Sequence, residues 1–596
     1  MTLGIKEPKR KNVTGTIVML QDPEDGSGND LAVLKKNKEG TILHPQPHDT
    51  PNDPLNWPVW RRDLCLMIVG FQTFLGGGQS PLLAAGMTSL TIEFDKTSTM
   101  ISYLVGIFML SLGLGSVFAS PSAVLYGKRV VYLSGILLFL VGAIVGGSSQ
   151  SYAVLMIGRI ITGFGASPTE SLPSATIAEI YFAHERAYRV GIYTMLMLGG
   201  KNIVPLLSSL VFQYLDRHWL FWILAMLLGA NLVLTFLFVP ETFWEREPTP
   251  NKRSIKETGA ARTAKNFKPP NERPNAFALN SANQSQRTIP TVHNMPPDLS
   301  ILETIEEEEP RTFASRLSVF SGRHTIDSWW MVALRPFVLY TYPSVLFGSL
   351  VYSFAVVWLI VISEVISEIF RSEPYGYSQQ TVGLFYISPF IGGILGSMTT
   401  GLVSDRLSRY LISRNKGVYE PEFRLVMMIP ATFFIAFGFL GYGWSIQVHD
   451  PWVAPVIFFG CLSFGSSMAS TTAITFTVDS YKMFASEGLV SLNFAKNFIG
   501  FAFSLFNNSF MQARGARITF ATYAIIQIVV SVFGIPLYIY GKKCRAWTDE
   551  KELLRFLYNP DNLQKDVSVS QEDTKENLDN VSQSTNSKEY DTSASA

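Results

Sequence analysis

Long apolar runs alternate with short polar stretches along most of the chain. Twelve of these runs have about 20 residues or more, which is the length that a tilted helix needs to cross a bilayer. The predicted spans, numbered 1 to 12 in order, are 64–87, 99–120, 129–148, 152–176, 188–213, 219–239, 337–363, 381–404, 424–444, 452–478, 487–511 and 519–541. The pattern predicts an all-α membrane protein with twelve transmembrane helices.

Three polar segments flank and separate the two groups of six spans. The predicted organisation is a solvated N-terminal tail 1–62, a six-helix half 63–240, a central loop 241–335, a second six-helix half 336–541 and a C-terminal tail 542–596. The central loop is rich in Asn, Pro, Ser and charge, so we expect most of it to be disordered. Its last part, near 312–335, has the apolar spacing and aromatic residues of an amphipathic helix lying on the membrane.

Composition supports a polytopic membrane protein. Charged residues make up 16% of the 596 residues and the net charge is +1, whereas a soluble domain has about a quarter charged residues. The three cysteines lack the spacing of a disulfide framework or a metal site, and no phosphate-binding loop is present. We therefore expect a monomer in the lipid bilayer that is not an enzyme or an ATP-driven pump, with no cofactor, metal or nucleic-acid partner.

Lysine and arginine in the short loops predict the orientation, because they accumulate on the cytoplasmic side. One side has Arg61, Arg62, Lys128, Arg129, Arg186, Arg189, Arg406, Arg409, Arg414, Lys416, Lys482, Lys542, Lys543 and Arg545. The opposite side has Lys96, Arg217, Arg371, Arg514 and Arg517. Both termini and the central loop are therefore expected to be cytoplasmic.

Four ionisable side chains lie inside the predicted spans and away from their ends: Arg159, Glu170, Lys201 and Lys496. Such residues are costly in hydrocarbon and usually face a cavity or a partner. Glu170 is the only acid among them, and it lies between two prolines that would free backbone carbonyls. Our hypothesis is that Glu170 binds a proton or a cationic solute group in exchange. The alternative is a permanent structural pair with Lys201 or Lys496.

The three basic residues each allow more than one role. Lys201 and Lys496 could neutralise Glu170 or bind an acidic solute group, and Lys496 could also snorkel towards the inner face. Asn493 and Asn497 flank Lys496 in the NFAKNF stretch of span 11. We predict that they share its surroundings.

Arg159 precedes Glu170 by eleven residues, about 16 Å along a regular helix, so a direct bond is not expected. Arg159 could instead bond to span 1, where Gln72 and Gln79 share a face because they are seven residues apart. This alternative would make it a structural residue of the first half.

Two further sets of residues are candidates. Tyr352 of span 7 and Tyr386 of span 8 are the aromatic candidates that sit deeper in the membrane. They could hold an organic cation by cation–π contact, or could only pack. The second set consists of charged residues near the cytoplasmic ends, which we expect to form a gate or latch of ion pairs: Glu179, Arg186, Asp405, Arg406 and Asp479.

Several motifs together resemble a known family. GLVSDRLSRYL (401–411) and SPSAVLYGKRVVYL (120–133) follow the second span of each half and resemble the loop signature of the major facilitator superfamily. GRIITGFG (158–165) resembles the fourth-helix signature of its proton-coupled drug antiporters. PNDPLNW, VPETFW and PLYIYGKKCRAW are similar to segments of a fungal subgroup of 12-span drug:proton antiporters that includes histidinol and polyamine permeases.

This resemblance implies two six-helix halves around a cavity that opens alternately to each side. It implies proton-coupled secondary transport of a polyamine, an amine-type cation or a drug, with Arg159 as a proton relay, in the plasma membrane. One acid against three bases in the spans suits a neutral or anionic organic solute equally well. The long polar tails also permit a transporter-like nutrient sensor, so these alternatives stay open.

Overall fold

The computed structural model describes residues 4–8, 13–18, 43, 47, 50–244, 312–320, 322–325, 327–415, 418–551, 553–554 and 557. Most of the predicted central loop and C-terminal tail, and Lys416 among the loop cations, lie outside the described residues. The chain divides into two compact units. One unit comprises Met1–Asp25, Val59–Phe243 and Arg316–Lys565, and it contains all the predicted spans. The other comprises Gly26–Pro58, Trp244–Ser315 and Asp566–Ala596.

Helices dominate the described residues. In the first half they are α1 Val59–Gly77, α2 Met87–Phe94, α3 Ser98–Tyr126, α4 Lys128–Gly147, α5 Tyr152–Ala166, α6 Pro168–Ser171, α7 Pro173–Ile180, α8 Ala183–Tyr214 and α9 Arg217–Phe238. The following helices are α10 Phe313–Arg316, α11 Trp329–Val338, α12 Pro343–Arg371, α13 Gln379–Leu384, α14 Ile387–Arg414, α15 Met428–Gln447, α16 Val453–Ser480, α17 Ala485–Val532 and α18 Gly534–Lys551. The described residues also form five short 3-10 segments, the first before α1 and the others between helices: Pro54–Asn56, Ala84–Gly86, Leu339–Thr341, Pro421–Met427 and Lys482–Phe484.

Each predicted span corresponds to helical structure. Spans 1, 2 and 3 are α1, α3 and α4, span 4 is α5 to α7, and spans 5 to 7 are α8, α9 and α12. Span 8 is α13 with α14, spans 9 and 10 are α15 and α16, and α17 contains spans 11 and 12, with a turn at Gly515 between them. Nine continuous stretches among the described residues are long and apolar enough to cross a membrane. The twelve predicted spans agree with these nine stretches once three differences are counted: α1 begins with the charged residues Arg61, Arg62 and Asp63, span 4 is divided into short helices, and spans 11 and 12 form one continuous stretch.

Small residues allow the spans to pack closely, as is common in membrane bundles. A Cβ on Gly392 of span 8 would lie 2.2 Å from the carbonyl oxygen of Gly460 in span 10. A Cβ on Gly200 of span 5 would lie 2.2 Å from the carbonyl oxygen of Phe74 in span 1. The backbones of these helix pairs are therefore in direct contact. The three cysteines are free.

The first 18 residues are not all solvated, which corrects the prediction for this tail. Ile17 and Val18 form strand β1, which pairs antiparallel with strand β2, Val418–Tyr419. Ile5 and Val13 are buried. The side chain of Arg545 donates to the carbonyl oxygen of Thr14, which explains why this segment lies against the bundle.

Two predicted boundaries also differ from the structure. α18 continues to Lys551, beyond the predicted end of span 12, and buries Arg545 completely. In the stretch near 312–335, the described helices are the single turn α10 and the separate helix α11. We call the end of the bundle with Thr16, Lys128 and Asp479 the tail end, and the opposite end, with Ser89 and Arg371, the far end.

Candidate functional site at the centre of the bundle

Span 4 is broken on both sides of Glu170. α5 and α7 are separated by the single turn α6, which contains Glu170. Pro168 and Pro173 open α6 and α7, because a proline has no N–H and its ring clashes with the carbonyl one turn earlier. The sequence therefore places Glu170 in a short helical turn that is separate from the helices before and after it.

Hydroxyl groups satisfy the carbonyls that the two prolines free. Ser167 Oγ donates to the Phe164 carbonyl at 2.8 Å, which is the oxygen that the first proline cannot use. Thr73 Oγ1 of span 1 reaches the Thr169 carbonyl at 3.5 Å, the oxygen freed by the second proline. The break in span 4 is thus supported by polar contacts inside the first half.

Glu170 meets a polar face of span 11. Lys496 Nζ forms an ion pair with Glu170 Oε1, and Asn497 Nδ2 donates to Glu170 Oε2 at 3.0 Å. Asn493 Nδ2 donates to the backbone carbonyl of Glu170 at 3.2 Å. The three span 11 residues share one face because they are spaced at i, i+3 and i+4. An acid of the first half is therefore neutralised by a lysine of the second half.

A small cavity adjoins this ion pair. It is lined by Ser80, Pro81, Met109, Glu170, Lys201, Asn202, Val356, Leu359, Ile360, Ser363, Phe459, Lys496 and Asn497. Lys201 has no hydrogen-bond or ion-pair partner among the described residues, but it is close enough to Glu170 and Lys496 to interact with both charges. About 30 Å³ is open to water, room for roughly two molecules. An organic solute would fit only after the halves move apart.

Arg159 lies away from the ion pair and is fully buried. It donates to the side-chain oxygen of Gln79 at 3.3 Å, to the Gln79 carbonyl at 2.7 Å and to the Leu104 carbonyl at 3.2 Å. Its guanidinium is 4.4 Å from the ring centre of Phe108. Of the two glutamines predicted as partners, Gln79 bonds to Arg159, whereas the buried amide of Gln72 has no partner among the described residues. Arg159 thus connects spans 1, 2 and 4.

The two tyrosines occupy different places. Tyr352 donates to Asn493 Oδ1 at 3.3 Å, and its ring centre is 5.9 Å from Lys496 Nζ. Tyr386 is buried behind the cavity wall, with its ring centre 5.9 Å from that of Phe459. Only Tyr352 therefore belongs to the surroundings of the ion pair.

Polar contacts join the two halves at the far end. Ser89 Oγ accepts from Arg371 Nη1 at 2.9 Å and donates to Gln379 Oε1 at 3.3 Å. Tyr214 OH donates to Gln380 Oε1 at 2.9 Å. The structure therefore has its halves closed against each other at this end.

In the first half, the predicted latch at the tail end contains Glu179 and a lysine. Lys128 Nζ is 2.5 Å from Glu179 Oε1. Glu241 accepts from the backbone N–H groups of Lys128 and Arg129 at 3.1 and 3.0 Å, a favourable place for an acid at a helix start. Arg186 donates to two backbone carbonyls at the end of α7. These contacts all lie within one half.

In the second half, Asp479 pairs with an arginine that we did not predict. Arg424 Nε is 2.6 Å from Asp479 Oδ2, which also accepts from Tyr419 OH at 2.6 Å. Burial, together with the Asp479 carboxylate, raises the pKa of Tyr419, so the hydroxyl stays a donor. Asp405 is mostly exposed, with Oδ1 3.9 Å from Arg424 Nη1. Arg406 is exposed and has no ion pair among the described residues, so of these two predicted latch residues only Asp405 approaches the Arg424–Asp479 pair.

Glu364 is a second buried acid, and it corrects the statement that Glu170 is the only acid within the spans. It lies inside α12, whereas the predicted span 7 ended at residue 363. It is 2% exposed. The apolar residues Val365, Ile366 and Phe370 continue the helical pattern beyond it, which is the signal that could have placed Glu364 in the membrane.

Two six-span halves that meet at a small charged cavity are the architecture of many secondary transporters. The chain belongs to the Major Facilitator Superfamily, because the model of that family matches residues 64–516.

Comparison with known proteins agrees with this assignment. The chain is 24% identical to Protein HOL1 of Saccharomyces cerevisiae, over 86% of this chain and 92% of that protein. It is 24% identical to the efflux pump radE of Floropilus chiversii, over 84% of each chain. The fold is similar to that of the xylose transporter XylE from E. coli in a partially occluded inward open conformation. That match has a TM-score of 0.51 and 14% identity, and covers 80% of this chain and 97% of the other.

Proposed function

We propose that this protein is a proton-coupled secondary transporter that moves a small organic solute through the cavity beside Glu170. The observation that supports this proposal is the ion pair between Glu170 of the first half and Lys496 of the second. A proton on Glu170, or a solute group bound to it, would weaken the contact between the halves. A ligand can shift a conformational equilibrium only through such a difference in interaction.

An amine-type cation, such as a polyamine or a cationic drug, is the first candidate solute. The Lys496 ammonium occupies a position formed by the Glu170 carboxylate and the Tyr352 ring. A solute ammonium could replace it there, because the same carboxylate and π face would receive either cation. Glu170 is also the only acid among the described residues that line the cavity.

A carboxylate-bearing organic solute is the second candidate, and Lys201 favours it. This lysine lines the cavity and has no ion-pair partner among the described residues. Replacing it separates the candidates: Lys201→Met should leave amine transport intact or strengthen it, whereas transport of an organic acid should fall at least tenfold. The matched control is Lys482→Met, because Lys482 is exposed at the tail end.

The proposal is tested by reconstituting the full chain in lipid vesicles and imposing a pH gradient. Radiolabelled amines, neutral solutes and organic acids are compared with and without a proton uncoupler. At least one solute should accumulate with the gradient and lose that accumulation with the uncoupler. If solutes are carried but none responds to the gradient, proton coupling is wrong. If no solute is carried by folded protein, the transport proposal fails for this panel.

A further inference from the structure

We propose that Glu364 is a second proton-binding carboxyl, located between the cavity and the far end. Its position follows from two helices. Ile360 lines the cavity and Glu364 lies one turn further along the same face of α12. Likewise, Asn497 lines the cavity and Ser504 lies two turns further along span 11. Both helices thus present polar groups beyond the cavity on the side of the far end.

Two hydrogen-bonding groups hold the Glu364 carboxyl. Ser504 Oγ is in hydrogen-bond contact with Oε1, and Asn507 Nδ2 donates to Oε2 at 3.1 Å. Asn507 is itself fixed, because it donates to the Val361 carbonyl at 3.0 Å and accepts from Tyr523 OH at 3.0 Å. The carboxyl therefore has a defined orientation, with a hydrogen bond to each oxygen.

This arrangement accommodates a neutral acid and a carboxylate without rearrangement. A serine hydroxyl can donate to a carboxylate oxygen, or accept from the O–H of a carboxylic acid. The asparagine N–H can donate to the other oxygen in either state. A proton can therefore bind or leave Glu364 while the surrounding helices stay in place.

Among the described residues, no cation pairs with Glu364. α3 has no charged residue, span 11 has none between Lys496 and Arg514, and α16 has only Asp479 at the tail end. On α12, Glu368 lies one turn further and accepts from Gln512. Arg371, at the end of α12, donates to Ser89. On the other packed segments, Tyr523 of span 12 donates to Asn507, Glu93 of α2 pairs with Arg217, and Arg514 and Arg517 are exposed at the far end. The charged residues of α18 lie at the tail end.

A carboxylate that is 2% exposed and lacks a cation is costly, whereas a neutral carboxylic acid with the same hydrogen bonds costs far less. Glu364 thus contrasts with Glu170, which is balanced by Lys496. In the closed conformation seen here, Glu364 holds a proton. Release requires water or a cation to reach it, which opening of the far end would supply.

The test uses protons alone and needs no solute. Infrared spectra of the purified full chain in lipid nanodiscs are recorded during a pH titration, and the C=O stretch of neutral carboxylic acids is followed. Glu364→Gln should remove one C=O band. Glu368→Gln is the matched control on the same helix and should keep it. Glu170→Gln should also keep it. A Glu364→Gln spectrum that retains every wild-type band overturns the proposal.

A second variant covers the case in which Glu364→Gln fails to fold. Ser504→Ala keeps the acid but removes one hydrogen bond, so the band should remain and shift in frequency. A folded Ser504→Ala protein with an unshifted band would overturn the proposal.

The role of Glu364 in transport rests on the proposed proton coupling, but separate measurements test the two proposals. The infrared band tests Glu364, and gradient-driven uptake tests the proposed function.

Discussion

Lys496 of span 11 forms an ion pair with Glu170 of span 4, and this pair joins the two halves of the bundle beside the central cavity. Both side chains are nearly buried, with 3% and 13% exposure. Removing one partner of such a pair leaves the other as an uncompensated charge. The pair therefore affects both stability and the equilibrium between closed and open halves.

Lys496→Met should destabilise the protein by about 3–5 kcal/mol, because Glu170 would lose its cation while staying buried. Thermal unfolding of the purified protein in detergent measures this change. The control Lys482→Met should have little effect. Adding Glu170→Gln to Lys496→Met should recover most of the loss. A single variant as stable as the wild type would show that the pair contributes nothing to the closed conformation.

Arg159→Lys should destabilise the first half by about 1–3 kcal/mol, because one ammonium cannot reproduce the bonds to both Gln79 and Leu104. Arg406→Lys is the control, since Arg406 is exposed. Unfolding midpoints in detergent compare the two. An Arg159→Lys protein with wild-type stability but no transport would favour the proton-relay role over the structural one.

Arg545→Gln should destabilise the tail end by about 3–5 kcal/mol. Arg545 is fully buried and pairs with Glu420 at 2.9 Å and Glu422 at 2.8 Å. The neighbouring Lys543 is exposed, so Lys543→Gln should change stability by less than about 0.5 kcal/mol. Limited proteolysis should also cut the N-terminal segment faster in Arg545→Gln, because Thr14 loses its contact with the guanidinium. Equal cleavage rates would contradict this attachment.

Gly392→Ala should lower the free energy of unfolding by about 1–3 kcal/mol, because the added methyl would overlap the Gly460 backbone in span 10. Gly401 lies on the same helix and a Cβ there meets no atom within 4 Å. Gly401→Ala should therefore be neutral or slightly stabilising. Thermal unfolding of both variants decides this, and similar midpoints would mean that spans 8 and 10 can separate without cost.

The sequence predicted the spans and the central charges well, for one physical reason. A charge stands out in an apolar run, so Glu170, Lys201 and Lys496 could be identified without knowing their neighbours. Their pairing was foreseen only as an alternative, with either Lys201 or Lys496 as the partner. The choice of Lys496 could not be made, since Glu170 and Lys496 belong to different halves. The broken turn around Glu170 was partly foreseen from its two flanking prolines.

The failures also have physical causes. Glu364 was missed because the predicted span 7 ended one residue before it, where the charged residues Glu364, Glu368 and Arg371 begin. Arg424 and Arg545 were missed as pairing residues, because their partners come from other helices and loops. The pairing of Ile17 with Tyr419 joins segments about 400 residues apart, and no local pattern indicates such a contact.

The central claim is that Glu170 couples the proton to the solute. It is tested most directly by comparing two modes of transport in vesicles containing wild-type or Glu170→Gln protein, for a solute carried by the wild type. One mode is exchange of labelled for unlabelled solute at equal pH, and the other is accumulation driven by a pH gradient. We predict that Glu170→Gln retains exchange and loses gradient-driven accumulation. Wild-type accumulation by the folded Glu170→Gln protein would contradict the account.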